Sequence, residues 1–206
     1  MKIPKSIIEH IDKNCAILEK RSKKLATLYR NCYTSTIDSA IKELPDGSLF
    51  VLTGDIPAMW LRDSSAQVNH YVPLSDDPKV AEIIKKVILK QFQYIVMDPY
   101  SNAFNESANG KGHITDFPHQ IPWVWERKYE IDSLCYPINL LYRYWKQTND
   151  DYIVKNEFPI VMRTILNTWQ TEQYHDEKSP YNFIRILEDP EEQEKNRLCG
   201  PVNIPV

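Results

Sequence analysis

The five glycines of this chain nowhere take the spacing that cradles a phosphate, and no Gly-x-Ser-x-Gly elbow occurs. Neither a nucleotide-loop enzyme nor a serine hydrolase of that type is indicated. Cysteine is sparse: Cys15, Cys32, Cys135 and Cys199 are scattered, with no close pair of zinc or redox spacing. His10, His70, His113, His119 and His175 form no short metal-ligand spacing. His113 and His119 share a segment with Asp116, which is a weak arrangement for a metal. Excess charge is also lacking, since 25 Lys and Arg face 28 Asp and Glu for a net charge of −3. That leaves no electrostatic case for a nucleic-acid partner. No apolar run is long enough to cross a membrane, and the opening Met1–Ser6 lacks the apolar core of a secretory leader. These absences point to a reduced, cytoplasmic protein with neither a nucleic-acid nor a membrane partner.

What is present is an ordinary globular balance. The 206 residues suffice for one domain with a sizeable core, at 42% hydrophobic and 26% charged. The basic run Lys20, Arg21, Lys23 and Lys24 reads as a solvated helix face. Twelve Tyr and five Trp are many for this length, and several cluster between Trp123 and Trp145. Such rings stack on sugar C–H faces, but they also fill seams between helices, and composition alone favours the core.

Apolar spacing predicts a helix through Ile3, Ile7, Ile8 and Ile11, with Pro4 in its first turn. A second helix follows, with Ile17, Leu18, Leu25, Leu28 and Tyr29 on its apolar side, breaking or continuing near Cys32 toward Ile37, Ile41 and Leu44. Pro45-Asp46-Gly47 signals a turn, and Ser48–Thr53 a short strand. Asp63 or Ser64 is expected to cap a short helix toward Tyr71. The clearest helix starts near Pro78, with Val80, Ile83, Ile84, Val87, Ile88, Phe92, Ile95 and Val96 on one face. Tyr100–Pro122 is a long polar segment, of a length that marks function or disorder. Asp132 or Ser133 is expected to cap a helix carrying Leu134, Cys135, Ile138, Leu141, Tyr142 and Trp145, which Pro137 would kink or displace. Phe158, Val161, Met162, Ile165, Leu166 and Trp169 mark another helix. Tyr181–Leu187 reads as a strand, and 188–197 as a charged, exposed stretch. With no internal repeat, this mainly helical pattern of paired helices and two short strands favours a bundle or helical barrel.

Three segments combine polar groups with rigid or aromatic residues. In the first, TGDIPAMWLRDS, Asp55 and Asp63 flank Trp60 and Arg62. A guanidinium beside a carboxylate holds it ionised, carboxylates accept paired sugar hydroxyls, and an indole supplies a stacking floor. A cap at Asp63 and a core Trp60 explain the same residues more plainly. The second, NAFNESANG, offers Asn105 and Glu106 on a loop, or plain turn chemistry. The third, PWVWERKYEIDSLCYPI, holds Trp125, Glu126, Arg127, Glu130 and Asp132. In an extended backbone Glu126, Lys128, Glu130 and Asp132 would share one face, fit for acid–base or sugar-binding work.

In this order and at these separations, the three segments closely resemble the signature stretches of glycoside hydrolase family 125, the exo-acting α-1,6-mannosidases, over about Ile37 to the C-terminus. The resemblance implies an all-α, mainly helical fold: part of an (α/α)6 barrel with a few short strands. It further implies removal of terminal mannose from N-glycan-type chains, with inversion of the anomeric centre and no metal or cofactor. Inversion needs one carboxylic acid to protonate the leaving oxygen and one carboxylate to activate water. Ser65, Asn69 and His70 depart from the family pattern where it would be more apolar, Ser107-Ala108 stands where the family pattern resembles an acidic residue followed by Pro, and the stretch 113–120 also diverges. Family members are longer, so residues 1–206 are expected to be a single, incomplete N-terminal part of the catalytic barrel. The stretch Gly200-Pro201-Val202 resembles one that leads toward the general acid. Acid and base are therefore expected beyond Val206, with Glu130 and Asp132 the weaker candidates inside the chain. Asp55, Trp60, Arg62, Asp63, Asn105, Glu106, Trp125, Glu126, Arg127 and Asp132 become the expected binding set for a mannose-containing oligosaccharide. An incomplete ring also exposes apolar faces, which implies self-association or a completing chain. A non-catalytic carbohydrate-binding remnant and a helical interaction module are the alternatives.

Overall fold

The computed structural model describes residues 1–185. The fold is mainly helical, with a few short strands. α1 (Lys5–Glu19) and α2 (Lys23–Ser35) pack against each other, and the Ser22 side chain caps α2 by accepting from the Leu25 N–H at 3.3 Å. Pro4 sits just before α1 rather than in its first turn. Ile7, Ile11 and Cys15 recur every four residues and form the buried stripe of α1. The predicted apolar side of the second helix is only partly a core face. Ile17, Leu25 and Leu28 are exposed, as is Ile8, whereas Ala26 is buried at the close contact with α1.

A π-helical turn (Thr36–Ala40) ends in β1 (Ile41–Glu43), which pairs antiparallel with β2 (Leu49–Val51) in the register Ile41↔Val51. Ile37 is helical, within that π-helical turn, but the helical reading of Ile41 and Leu44 is corrected. All three are buried, but the Pro45-Asp46-Gly47 turn folds the chain back as a hairpin, with Gly47 at φ +78°. β3 (Met59–Trp60) runs directly into α3 (Leu61–Asn69). Trp60 takes the N-cap position without a side-chain cap, so Asp63 and Ser64 lie inside the first turn and cap nothing.

α4 (Pro78–Met97) is the central element and packs against α3, β2, and the later helices α5 (Ile131–Thr148) and α7 (Phe158–Glu172). Asp77 caps it by accepting from the Lys79 N–H at 2.9 Å, and Pro78 occupies the first turn, where its missing N–H costs nothing. Its predicted face is buried from Val80 to Ile95, with Val96 exposed. Each of those aliphatic side chains contributes about 1.5–3 kcal/mol by burial.

The long polar segment is ordered: it carries β4 (Ala103–Phe104) and leads into β5 (Val124–Glu126). Glu130 is the N-cap residue of α5, so neither Asp132 nor Ser133 is. Pro137 is accommodated within the regular helix, and the helix ends at Asn149 in the left-handed region, its N–H on the Trp145 carbonyl at 2.8 Å. The buried face of α5 is Ser133, Leu134, Pro137, Leu140, Leu141 and Tyr144. Cys135 and Tyr142, placed on the apolar face by sequence, are exposed. In α7, Val161, Ile165 and Thr168 are buried while Leu166 is exposed. The short helices α6 (Tyr152–Asn156) and α8 (His175–Lys178) flank α7. Of the strand expected over Tyr181–Leu187, the described part forms a single bridge, Phe117 to Ile184. The stretch 188–197, Cys199 and Gly200-Pro201-Val202 lie outside the described residues.

Candidate functional site

One small sheet brings the three signature segments together. β3 pairs with β4 (Met59↔Phe104, Trp60↔Ala103), and β4 pairs with β5 (Ala103↔Glu126, Phe104↔Val124), so each segment contributes one strand. Two of the strands lead toward helices: β3 directly into α3, β5 through residues 127–130 into α5. α3 and α5 pack side by side, which juxtaposes their N-terminal turns and the charges they carry.

Arg62 on α3 lies at the centre of that juxtaposition. Its Nη1 donates to Asp132 Oδ2 at 2.9 Å and lies 3.9 Å from Glu130 Oε2, while its Nη2 is 3.5 Å from Asp63 Oδ2. Lys128 reaches the other Glu130 oxygen at 3.3 Å. The bond to Asp132 raises the Arg62 pKa above its usual value, helped by the charges of Asp63, Asp132 and Glu130. All four groups are half-buried rather than sealed, the Arg62 side chain being 39% exposed. Trp60, also half-buried, precedes this turn, its N–H held by Thr53 Oγ1 at 3.2 Å. A guanidinium ringed by three carboxylates beside an indole presents both donors and acceptors to a polyhydroxylated ligand.

Most of the remaining predicted residues are otherwise engaged. Glu126 is buried and does not share a face with Glu130 and Asp132. Its Oε1 accepts from Arg185 Nη2 at 3.0 Å, and the same nitrogen reaches buried Asp116 at 2.9 Å. Burial opposes the Arg185 charge, but the bond to Asp116 and the nearby Glu126 outweigh it and raise its pKa. Arg127 is bound to Asp98 through Nε at 2.6 Å and lies near the Tyr100 and Tyr181 rings, a structural role. Asn105 turns its amide inward, donating to the carbonyls of Lys111, Pro122 and Val124 at 2.9, 3.0 and 3.2 Å, and so braces the loop. Glu106 is paired with Lys42 on β1. The Trp125 ring nitrogen is buried with no partner among the described residues. Asp55 is exposed on the turn after Thr53 and enters no ion pair among the described residues.

Sequence reasoning missed Arg185, Asp116 and Asp98 as parts of this region. Their partners lie 69, 59 and 29 residues away along the chain, and no local pattern encodes such pairings. His113 lies 4.0 Å from Glu126, and among the described residues no group of three His, Cys, Asp or Glu is arranged to hold a metal ion. No helix among the described residues is long and apolar enough to cross a membrane.

Comparison with known proteins meets this geometry. The family model for metal-independent α-mannosidase (GH125) matches residues 22–203. The meiotically up-regulated gene 157 protein of Schizosaccharomyces pombe is 32% identical over 182 residues, covering 78% of this chain and 36% of that protein. A solved Streptococcus pneumoniae structure, described as a metal-independent α-mannosidase in a non-productive substrate complex with α-1,6-mannobiose, superposes with a TM-score of 0.84 at 40% identity. It covers 93% of this chain, which in turn spans 45% of it. The chain thus spans less than half the length of these relatives and matches part of that solved structure. Over nearly all of its length, this chain belongs to the metal-independent α-mannosidase family, GH125.

Proposed function

We propose that the chain is the N-terminal, mannoside-binding portion of an inverting exo-α-1,6-mannosidase acting on N-glycan-type chains. The observation that carries this reading is the convergence of Arg62, Asp63, Glu130 and Asp132 on the packed N-termini of α3 and α5. The pneumococcal relative's complex with α-1,6-mannobiose supports the ligand class. The carboxylates here pair with a guanidinium, which Asp132 accepts from, a role suited to holding sugar hydroxyls, so the general acid and base are assigned to sequence beyond Val206. Glu130 and Asp132 become supporting rather than proton-transferring groups.

The same reading treats residues 1–206 as one incomplete domain of an (α/α)6 barrel. Exposed Ile131, Tyr136 and Tyr142 on α5 and Ile160 and Leu166 on α7 support it as seats for further helices. Alone, the chain is expected to self-associate, which sedimentation at increasing concentration would register as a rising mass. The cytoplasmic setting belongs to the proposal too, supported by the free thiols Cys15, Cys32 and Cys135.

The test is release of mannose from α-1,6-mannobiose with chelator present. The 206-residue chain releases none, while the coding sequence read past Val206 and expressed whole releases it with inverted configuration. Turnover by the short chain would overturn the placement of acid and base. A longer protein without turnover would overturn the mannosidase reading.

A further inference from the structure

Behind the Arg62 cluster lies a buried polar node that sugar contact does not explain. Gln91, mid-way along α4, is 0% exposed. Its Nε2 lies 2.8 Å from both Ser64 Oγ and Ser65 Oγ and 3.3 Å from the Leu61 carbonyl oxygen. Ser65 itself donates to the Leu61 carbonyl at 2.8 Å, and Ser64 does so at 3.2 Å. On the other side, the Leu61 N–H is held by the Asn102 carbonyl of the second signature segment at 3.0 Å. The first turn of α3 is therefore gripped from outside the helix on both sides, and the residues it carries outward are Arg62 and Asp63.

Such a node is costly to keep. Gln91 Oε1 has no partner among the described residues, and a buried, unpaired amide oxygen is destabilising where an apolar side chain would pack freely. The directional hydrogen bonds that Gln91 does make between α4 and α3 set one rotation and one height of the helix, where an apolar seam tolerates small slips. Arg62 is a long lever on that turn, so a small rotation there moves the guanidinium away from Asp132.

We propose that Gln91, through Ser64 and Ser65, is a positioning residue that sets the Arg62–Asp63 pair in register with Asp132. The role in sugar recognition rests on the reading of that cluster given above; the positioning itself does not. The experiment is hydrogen exchange of the arginine guanidinium protons by NMR in Gln91→Met, with Arg127 on Asp98 as the internal control, followed by titration with α-1,6-mannobiose. In the folded variant, Arg62 exchange quickens and the mannobiose Kd rises, each by about tenfold, the factor that one hydrogen bond of fixed geometry represents. Arg127 exchange stays unchanged. If Arg62 is unmoved, or if Arg62 and Arg127 quicken together, Gln91 only stabilises the fold and the proposal fails. An unchanged Kd beside a loosened Arg62 removes the link to recognition. Should Gln91→Met not fold, Ser65→Ala, which removes one hydroxyl, is read by the same criteria. A wild-type chain that binds no mannobiose sinks the sugar-site reading and leaves the guanidinium exchange to decide the positioning.

Discussion

Replacing Arg185 with Met removes the guanidinium shared by two buried carboxylates. Asp116 is 3% exposed and Glu126 6% exposed, with Arg185 Nη2 at 2.9 and 3.0 Å from them. Surface ion pairs are worth little, but these oxygens have almost no access to water. Removing one partner of a buried pair costs about 3–5 kcal/mol, because the charge left behind is uncompensated. For a chain of this size that corresponds to a melting temperature lower by roughly 6–20 °C. The assay is thermal melting of Arg185→Met beside Asp116→Asn/Glu126→Gln and the triple variant. In the neutralised background the Arg185 substitution is expected to cost under about 1 kcal/mol, since no buried charge then remains to be orphaned. A loss below about 1 kcal/mol in the native background, or an equal loss in both, would refute the argument that charge burial decides this region.

Two further outcomes follow from the same structure. Gly112 sits at φ +118°, and a Cβ there would meet the Trp125 carbonyl oxygen at 2.1 Å, so Gly112→Ala should lower stability by about 3 kcal/mol or more, read from the urea midpoint. Lys90 is buried, with Asp46 no closer than 3.9 Å, and burial lowers its pKa. The folded state then binds fewer protons than the unfolded one as pH approaches 10.5, so stability attributable to Lys90 rises with pH. Lys90→Met should therefore melt higher at pH 7, by about 1 kcal/mol, with the gap narrowing toward pH 10. A gap that does not depend on pH would contradict this.

The sequence made the outline of this protein readable where the physics is local. Asp77 and Pro78 announce the start of α4, its Val and Ile spacing predicts its buried face, and the Pro45-Asp46-Gly47 turn announces a reversal. Ile41 and Leu44 mislead because their spacing after helical Ile37 continues a helical pattern, although the turn after them makes Ile41 a strand residue. The face of α5 is misread because Tyr142 and Cys135 are apolar enough to pass for core while Pro137 and Ser133 are not, yet packing buries the latter pair. The signature segments themselves were legible. Their internal division was not: Asn105, Arg127 and Glu126 are tied to neighbouring scaffold groups, whereas Arg62, Asp63, Glu130 and Asp132 converge. That division depends on Asp98, Asp116 and Arg185, which only the tertiary fold brings into reach.

The most direct test of the account is binding of α-1,6-mannobiose to the chain, followed by ligand-observed NMR, in the wild type and in Arg62→Met. Arg62 is partly exposed, so its loss costs the fold only about 0–1 kcal/mol, and the variant should melt within a few degrees of the wild type. A charge-assisted contact to sugar is worth more, and its removal should weaken binding by roughly 10- to 100-fold. Saturable binding by the wild type that is weakened to that extent in the folded variant is the predicted result. No binding by the wild type, or equal binding by both, would contradict the assignment of the Arg62 cluster as the mannoside site.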